Sequence, residues 1–320
     1  MTLSKRLALT AISIGALLLA ACAGEQKDNR IVLGFSQIGA ESEWRTANTQ
    51  SIKSAAATMN IDLRFADARQ SQANQIEALR DFIAQEVDVI AFAPIVATGW
   101  DSVLQEAKDA NIPVILTDRA VTADPSLYVG FIGSDFVEEG RKAARWAVEK
   151  FADHAGQVNI VELQGTVGAA PANDRKQGFE EIIAADPRMS IVRSESGDFS
   201  RSRGKEVMEA ILDSESRPIH LLYAHNDDMA LGAIEAIEAA GKLPGKDILI
   251  VSIDAVRSAF EAMIAGKLNA TIECNPLLGP QLMTSVTEVV AGRPIARRIV
   301  VNEQLFTMET AKQHIQSRKY

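Results

Sequence analysis

The chain has 320 residues, 47% of them apolar and 23% charged, with a formal net charge of −9 at pH 7. That balance supplies more than one hydrophobic core and excludes a disordered or low-complexity chain. The acidic excess argues against a nucleic-acid partner, which calls for a basic stripe along one face.

The first segment reads as an export signal. Lys5 and Arg6 precede an apolar run over residues 7–21, and small residues close it in Leu19-Ala20-Ala21-Cys22. A charged start, a short apolar stretch and a small-residue end make residues 1–22 a secretory signal peptide. The run is shorter than the roughly 20 residues that span a bilayer. Leu-Ala-Ala-Cys also resembles the bacterial lipobox. That resemblance implies lipid on Cys22 and an exported chain, periplasmic or at the cell surface, anchored to a membrane. Residues 23–30 are polar and read as a tether. Only two cysteines exist; with Cys22 lipidated, Cys274 stands alone and no intrachain disulfide can form.

From residue 31 onward, short apolar runs alternate with helical patterns. Residues 31–36, 62–66, 87–93, 113–117 and 128–132 read as strands, with helices over 44–60, 73–85 and 100–111 between the first four. Residues 136–152 read as a helix with a solvated face. The rhythm then repeats, with strands over 158–163, 190–194, 219–224 and 248–253 and helices over 173–185, 202–214, 227–241 and 256–265. Two further strands are expected at 269–273 and 297–301. Such alternation predicts an α/β fold of two doubly wound parallel-sheet lobes with a ligand cleft between them.

Ligands of parallel α/β sheets sit beyond the carboxyl ends of the strands, so the residues that follow each strand are the candidates. They are Glu41, Ser42, Trp44 and Arg45 after the first; Asp118 and Arg119 after the fourth; Arg175 beyond a Gly-containing loop; Phe199; Asn226; and Asp254. Carboxylates accept hydrogen bonds from hydroxyls, and Arg and Asn donate in fixed geometry. Trp44 and Phe199 offer flat apolar faces to the C–H side of a sugar ring. Each has a plainer reading: Asn226 as a helix N-cap, Asp227 and Asp228 as acids of a first helical turn, Trp44 and Phe199 as core, Asp118-Arg119 as a surface ion pair.

Other chemistries lack their residues. There is no G-x-x-x-x-G-K-[ST] loop, no G-x-G-x-x-G after the first strand and no G-x-S-x-G elbow. The four histidines have no metal-ligand spacing, so no metal or cofactor is expected. An exported enzyme acting on sugars or nucleosides is the alternative: Asp118 and Asp254 would have to meet across the cleft.

The order of these motifs resembles the type I periplasmic sugar-binding proteins, the ribose-binding group. The segments are TDR at 117–119, NDRKQGF at 173–179, GDFSRSRGKEVM at 197–208, YAHNDDMALGA at 223–233 and ATIECNP at 270–276. GFSQIGAESEWR at 34–45 and IAFAPIVATGW at 90–100 narrow the likeness to its galactofuranose-binding branch. NDDMALGA is shared with LacI-type sensor domains, which carry a DNA-binding head where this chain has an export signal. The resemblance implies a non-enzymatic solute-binding component of an ABC sugar importer, a monomer, with a monosaccharide ligand and permease subunits as partners. It implies three crossovers, with one lobe from 30–134 plus 275–301 and the other from 135–274 plus 302–320. On its pattern Trp44 and Phe199 stack on the sugar. Glu41, Ser42, Arg45, Asp118, Arg119, Arg175, Asn226 and Asp254 complete the contacts. Ribose-type members have Gln at the place of Cys274 and paired Phe at Glu43-Trp44, so a furanose other than ribose is expected.

Overall fold

The structure is a computed structural model that describes residues 30–301 and 303–320. The signal peptide, Cys22 and residues 23–29 of the tether lie outside the described residues. Among those described, no helix is long and apolar enough to cross a membrane.

The central apolar runs become strands buried on both faces, while those at 62–67 and 189–196 are only part-buried. The first half contains β1 (Val32–Gln37), α1 (Glu43–Thr58), β2 (Asp62–Asp67), α2 (Gln72–Ala84), β3 (Val89–Phe92), α3 (Asp101–Asp109), β4 (Val114–Thr117) and β5 (Gly130–Gly133). The second contains α4 (Phe136–Lys150), β6 (Val158–Gln164), α5 (Ala170–Ile183), β7 (Met189–Ser196), α6 (Arg201–Ser214), β8 (Leu221–Ala224), α7 (Asp227–Ala239), β9 (Leu249–Asp254), α8 (Arg257–Ile264) and β10 (Ala270–Glu273). The chain ends with α9 (Gly279–Val290), β11 (Arg298–Val300), β12 (Leu305–Thr307) and α10 (Ala311–His314).

Two six-stranded sheets result, ordered β11-β5-β4-β3-β1-β2 and β12-β10-β9-β8-β6-β7. Pairing is parallel except between β10 and β12. Each sheet reverses direction of winding beside its first strand, between β1 and β3 and between β6 and β8. Those switch points open crevices at the carboxyl ends of the strands. The chain passes between the sheets after β5, after β10 and after β11. Leu278, just before α9, and Leu282, Met283 and Val286 within it pack with Leu33, Phe35 and Ile52 of the first lobe. Phe136, Ala143 and Ala147 of α4 pack into the core of the second.

Helix α9 and strand β12 were not expected from the sequence. Val, Thr and Pro in 279–290 mimic a strand with breakers, but Pro280 lies in the first helical turn, where its missing N–H costs nothing. The three residues of β12 are too few to carry a pattern.

Two glycines set close approaches that shape the cleft. A Cβ on Gly140 of α4 would lie 2.2 Å from the Arg175 carbonyl oxygen of α5, so these helices cross in near contact. A Cβ on Gly165 would lie 1.9 Å from the Phe199 ring. The loop after β6 thus makes room for an aromatic face.

Candidate ligand-binding site

The two crevices face each other across a narrow space that is partly open to solvent. All ten residues singled out in the sequence line it: Glu41, Ser42, Trp44, Arg45, Asp118, Arg119, Arg175, Phe199, Asn226 and Asp254, together with Pro171 and Cys274.

On the first lobe the polar groups form one connected array. Ser42 Oγ caps α1 by accepting from the Arg45 N–H at 3.1 Å. That cap starts the helix where Arg45 can turn back toward β4. Arg45 then donates to Glu41 at 3.1 Å, to Gln37 at 3.3 Å and to Asp118 at 2.6 Å. Burial works against the charge of Arg45, but Asp118 and Glu41 override it and its pKa rises. Arg119 donates to the Ile95 carbonyl at 2.9 Å. Burial and the repulsion of Arg45 bring Arg119 down to about 10, so it stays charged at neutral pH. Asp118-Arg119 is therefore no surface pair; both residues are buried.

On the second lobe Arg175 donates to Glu139 at 2.7 Å and to the His225 carbonyl at 2.6 Å, and its Nη2 stands 3.8 Å from Asp254. Burial raises the Asp254 carboxyl well above its usual range, against the pull of Arg175. Asn226 is both cap and lining residue. Its Oδ1 accepts from the Met229 N–H at 3.0 Å and its Nδ2 donates to the Phe199 carbonyl at 3.1 Å. One amide N–H is left for the cavity. Asp227 serves the fold instead: its carboxylate accepts from the Val256 N–H, from Thr271 and from Ser252.

The aromatic residues join the lobes. Trp44 belongs to α1 of the first lobe but packs in the second lobe's core cluster, and its indole N–H donates to the Cys274 carbonyl at 2.6 Å. The Arg45 guanidinium lies 4.6 Å from the Trp44 ring, and that of Arg119 5.1 Å from the Phe199 ring. Further contacts tie the rims: the Glu43 N–H to Asp228 at 3.0 Å, Ser258 to Glu43 at 2.7 Å and the Ala97 N–H to the Gly168 carbonyl at 2.9 Å. The lobes are closed.

Two atoms in this lining have no hydrogen-bond partner although they are buried, Glu41 Oε2 and Arg119 Nε, the latter standing 3.7 Å from Asp118. An unmatched buried polar group costs about 1–3 kcal/mol. One acceptor and one donor therefore await a polar ligand. With three guanidinium groups, three carboxyls and two rings, the lining suits an uncharged polyol better than an ion.

Sequence reasoning did not single out Glu139. Its signal was there: a carboxylate on the apolar stripe of α4, three residues after Phe136 and beside Gly140. Cys274, left open between cleft and hinge, lines the cleft.

The periplasmic binding protein domain model matches residues 33–294. The galactofuranose-binding protein YtfQ of Escherichia coli is 46% identical over 293 residues, covering 90% of this chain and 92% of that protein. A Mycobacterium smegmatis structure in complex with β-D-fucofuranose is 56% identical with a TM-score of 0.89, covering 91% of this chain and 95% of that one. The periplasmic component of an arabinose ABC transporter from Shewanella, bound to α- and β-L-arabinofuranose, is 48% identical with a TM-score of 0.86, covering 90% and 95%. The Escherichia coli and Shewanella relatives are binding proteins by name.

Proposed function

The chain belongs to the periplasmic binding protein domain family, and from that premise we propose that it is the solute-binding component of an ABC sugar importer, closing on a monosaccharide in its furanose form. The carrying observation is the buried lining with one acceptor and one donor unmatched, Glu41 Oε2 and Arg119 Nε, beside the faces of Trp44 and Phe199. The sugars named for the relatives narrow the ligand. D-Galactofuranose, D-fucofuranose and L-arabinofuranose share one ring configuration and differ only in the arm on C4. A site built on that ring takes galactofuranose first and tolerates a shortened arm. In this reading the ten lining residues make the contacts, Glu41, Ser42, Trp44, Arg45, Asp118 and Arg119 from one lobe and Arg175, Phe199, Asn226 and Asp254 from the other.

Binding without turnover fits the carboxylates. Asp118 is held by Arg45 and Asp254 stands beside Arg175, and glycoside chemistry would need such a pair free to move protons. The same reading has the chain exported, held to the membrane by lipid on Cys22, and docked as a monomer on its permease.

The test is a thermal-shift and calorimetric screen against D-galactose, L-arabinose and D-fucose, which equilibrate with their furanose forms, and against the methyl pyranosides, which cannot. At a hundredfold over its Kd a ligand adds about 2.7 kcal/mol. Shifts with the free sugars only, lost in Asp118→Ala and without product, are expected. Equal shifts with the pyranosides would remove the furanose assignment, and product formation would make the chain an enzyme.

A further inference from the structure

The three crossings between lobes meet in one buried cluster behind the cleft. Ser134 follows β5, Cys274 and Asn275 follow β10, and Glu303 lies between β11 and β12. Glu303 Oε1 accepts from the Asn275 N–H at 3.1 Å and from Ser134 Oγ, which is also 3.5 Å from Cys274 Sγ. The Glu303 main-chain oxygen accepts from Lys142 of α4 at 2.8 Å. Each crossing segment thus contributes a polar group to a single knot.

Glu139 of α4 completes it. A carboxylate oxygen of Glu139, one of Glu303 and the Cys274 sulfur lie within 4.8 Å of one another. Glu139 Oε2 is taken by Arg175. Its Oε1 is buried without a partner. Two carboxylates this close in a dry pocket cannot both ionise, and of the two cations at hand Arg175 is paired with Glu139. The Lys142 ammonium is bonded to a carbonyl. A metal ion here would face the Arg175 guanidinium. What the unmatched Glu139 oxygen lacks is a hydrogen-bond donor, and a neutral Glu303 carboxyl supplies one.

We propose that Glu303 carries a proton donated to Glu139 Oε1 in the closed form, and that closure on sugar takes this proton from solvent and opening returns it. The proposal rests on the sugar-binding function above. Because Glu139 also holds Arg175 of the cleft, the knot joins the sugar site to the hinge: the proton fixes Glu139, Glu139 fixes Arg175, and the crossing segments are locked together. Burial and the Glu139 carboxylate push Glu303 up to about 9, in keeping with this. The neighbours that face it are Glu139 and Lys142 on α4, Arg175 on α5, and Cys274, whose thiol burial keeps neutral. Asp254 stands behind Arg175.

The experiment is calorimetry of L-arabinose binding to the chain at pH 7.5 in buffers of different ionisation enthalpy. The dependence of the heat on buffer counts protons taken up. A count near one is expected, with Kd rising toward tenfold per pH unit between about pH 6 and 8.5. In Glu303→Gln, which donates the same hydrogen bond without titrating, the count and the slope should fall by that one proton. Binding without proton uptake, or an equal count in both proteins, overturns the proposal. So does loss of binding in EDTA, which would put a metal in the knot. Should no sugar give heat, the functional reading fails on its own. The knot is then read from the unliganded protein, in which Glu303 is ionised, so its melting temperature should follow pH alike between about pH 6 and 9 in the natural chain and in Glu303→Gln. A fall with pH that Glu303→Gln removes would show that the proton stays without closure, and this also overturns the proposal.

Discussion

Three cleft residues hold backbone conformations that non-glycine residues rarely adopt. Asp118 has φ +62°, Phe199 +59° and Asp254 +130°. Each such position costs on the order of 1–3 kcal/mol and persists only where its surroundings impose it. All three end or follow a strand, and the left-handed turn swings the side chain from the sheet axis into the cleft. Sequence reasoning placed these residues at strand ends but had no signal for their dihedrals, because nothing local favours Phe with a positive φ. The fit of Phe199 gives a direct prediction. Gly165→Ala sets a methyl 1.9 Å from its ring, and the ring must leave the cleft face. Overpacking of this kind costs about 1–3 kcal/mol. Sugar affinity should drop tenfold or more by calorimetry, and unchanged affinity would show that Phe199 is core and not a stacking face.

At the scale of elements, α1 is the piece that belongs to both lobes. Its own Ser42 caps one N–H, and the free Glu43 N–H of its first turn is capped by Asp228 from α7 of the other lobe. A helix cap is worth about 0.5–2 kcal/mol, and this one exists only when the lobes meet. Asp228→Ala should therefore weaken sugar binding about two- to thirtyfold and act mainly on the dissociation rate in stopped-flow traces. An equal loss of stability in the unliganded protein, with affinity kept, would make Asp228 a structural residue. The sequence announced Asn226, Asp227 and Asp228 as a helix start, and so they are. It did not announce that the first caps and lines the cleft, the second ties three segments of one lobe, and the third reaches across. Those roles depend on which strand lies next to which.

For the whole molecule, the buried carboxyls set how stability follows pH. Burial raises Asp227 and Asp228 to about 7 and Glu303 to about 9. For a carboxyl raised on folding, the contribution is full below its ordinary pKa near 4 and is lost as pH climbs through the folded value. The opposite limb belongs to Glu162 and His225. Burial would raise Glu162, but His225, Lys176 and Ser194 bring it to about 2, so its contribution holds above its ordinary range and is lost as pH falls toward 2. Burial lowers His225, which the unfolded chain protonates first, and this favours higher pH up to about 6.5. The melting temperature of the sugar-bound protein should peak near about pH 4–5, where three raised carboxyls begin to outweigh His225, and fall by several degrees toward pH 9. A curve that is flat from pH 6 to 9 would contradict the buried-carboxyl account.

The sequence by itself determined the alternation of strands and helices, the parallel sheets that follow from it, and the residues at the strand ends. Strand cores are read from runs of Val, Ile and Leu because parallel strands are buried on both faces, and a parallel sheet sends whatever follows each strand to the same edge. Only the tertiary structure decided what joins across distance. Ser134 meets Glu303 over 169 positions and Trp44 meets Cys274 over 230. Neither pair lies in any local period, so no pattern along the chain could register it. Whether a buried oxygen is matched or left for a ligand is likewise a property of the closed space around it, which exists only once both lobes have folded and met.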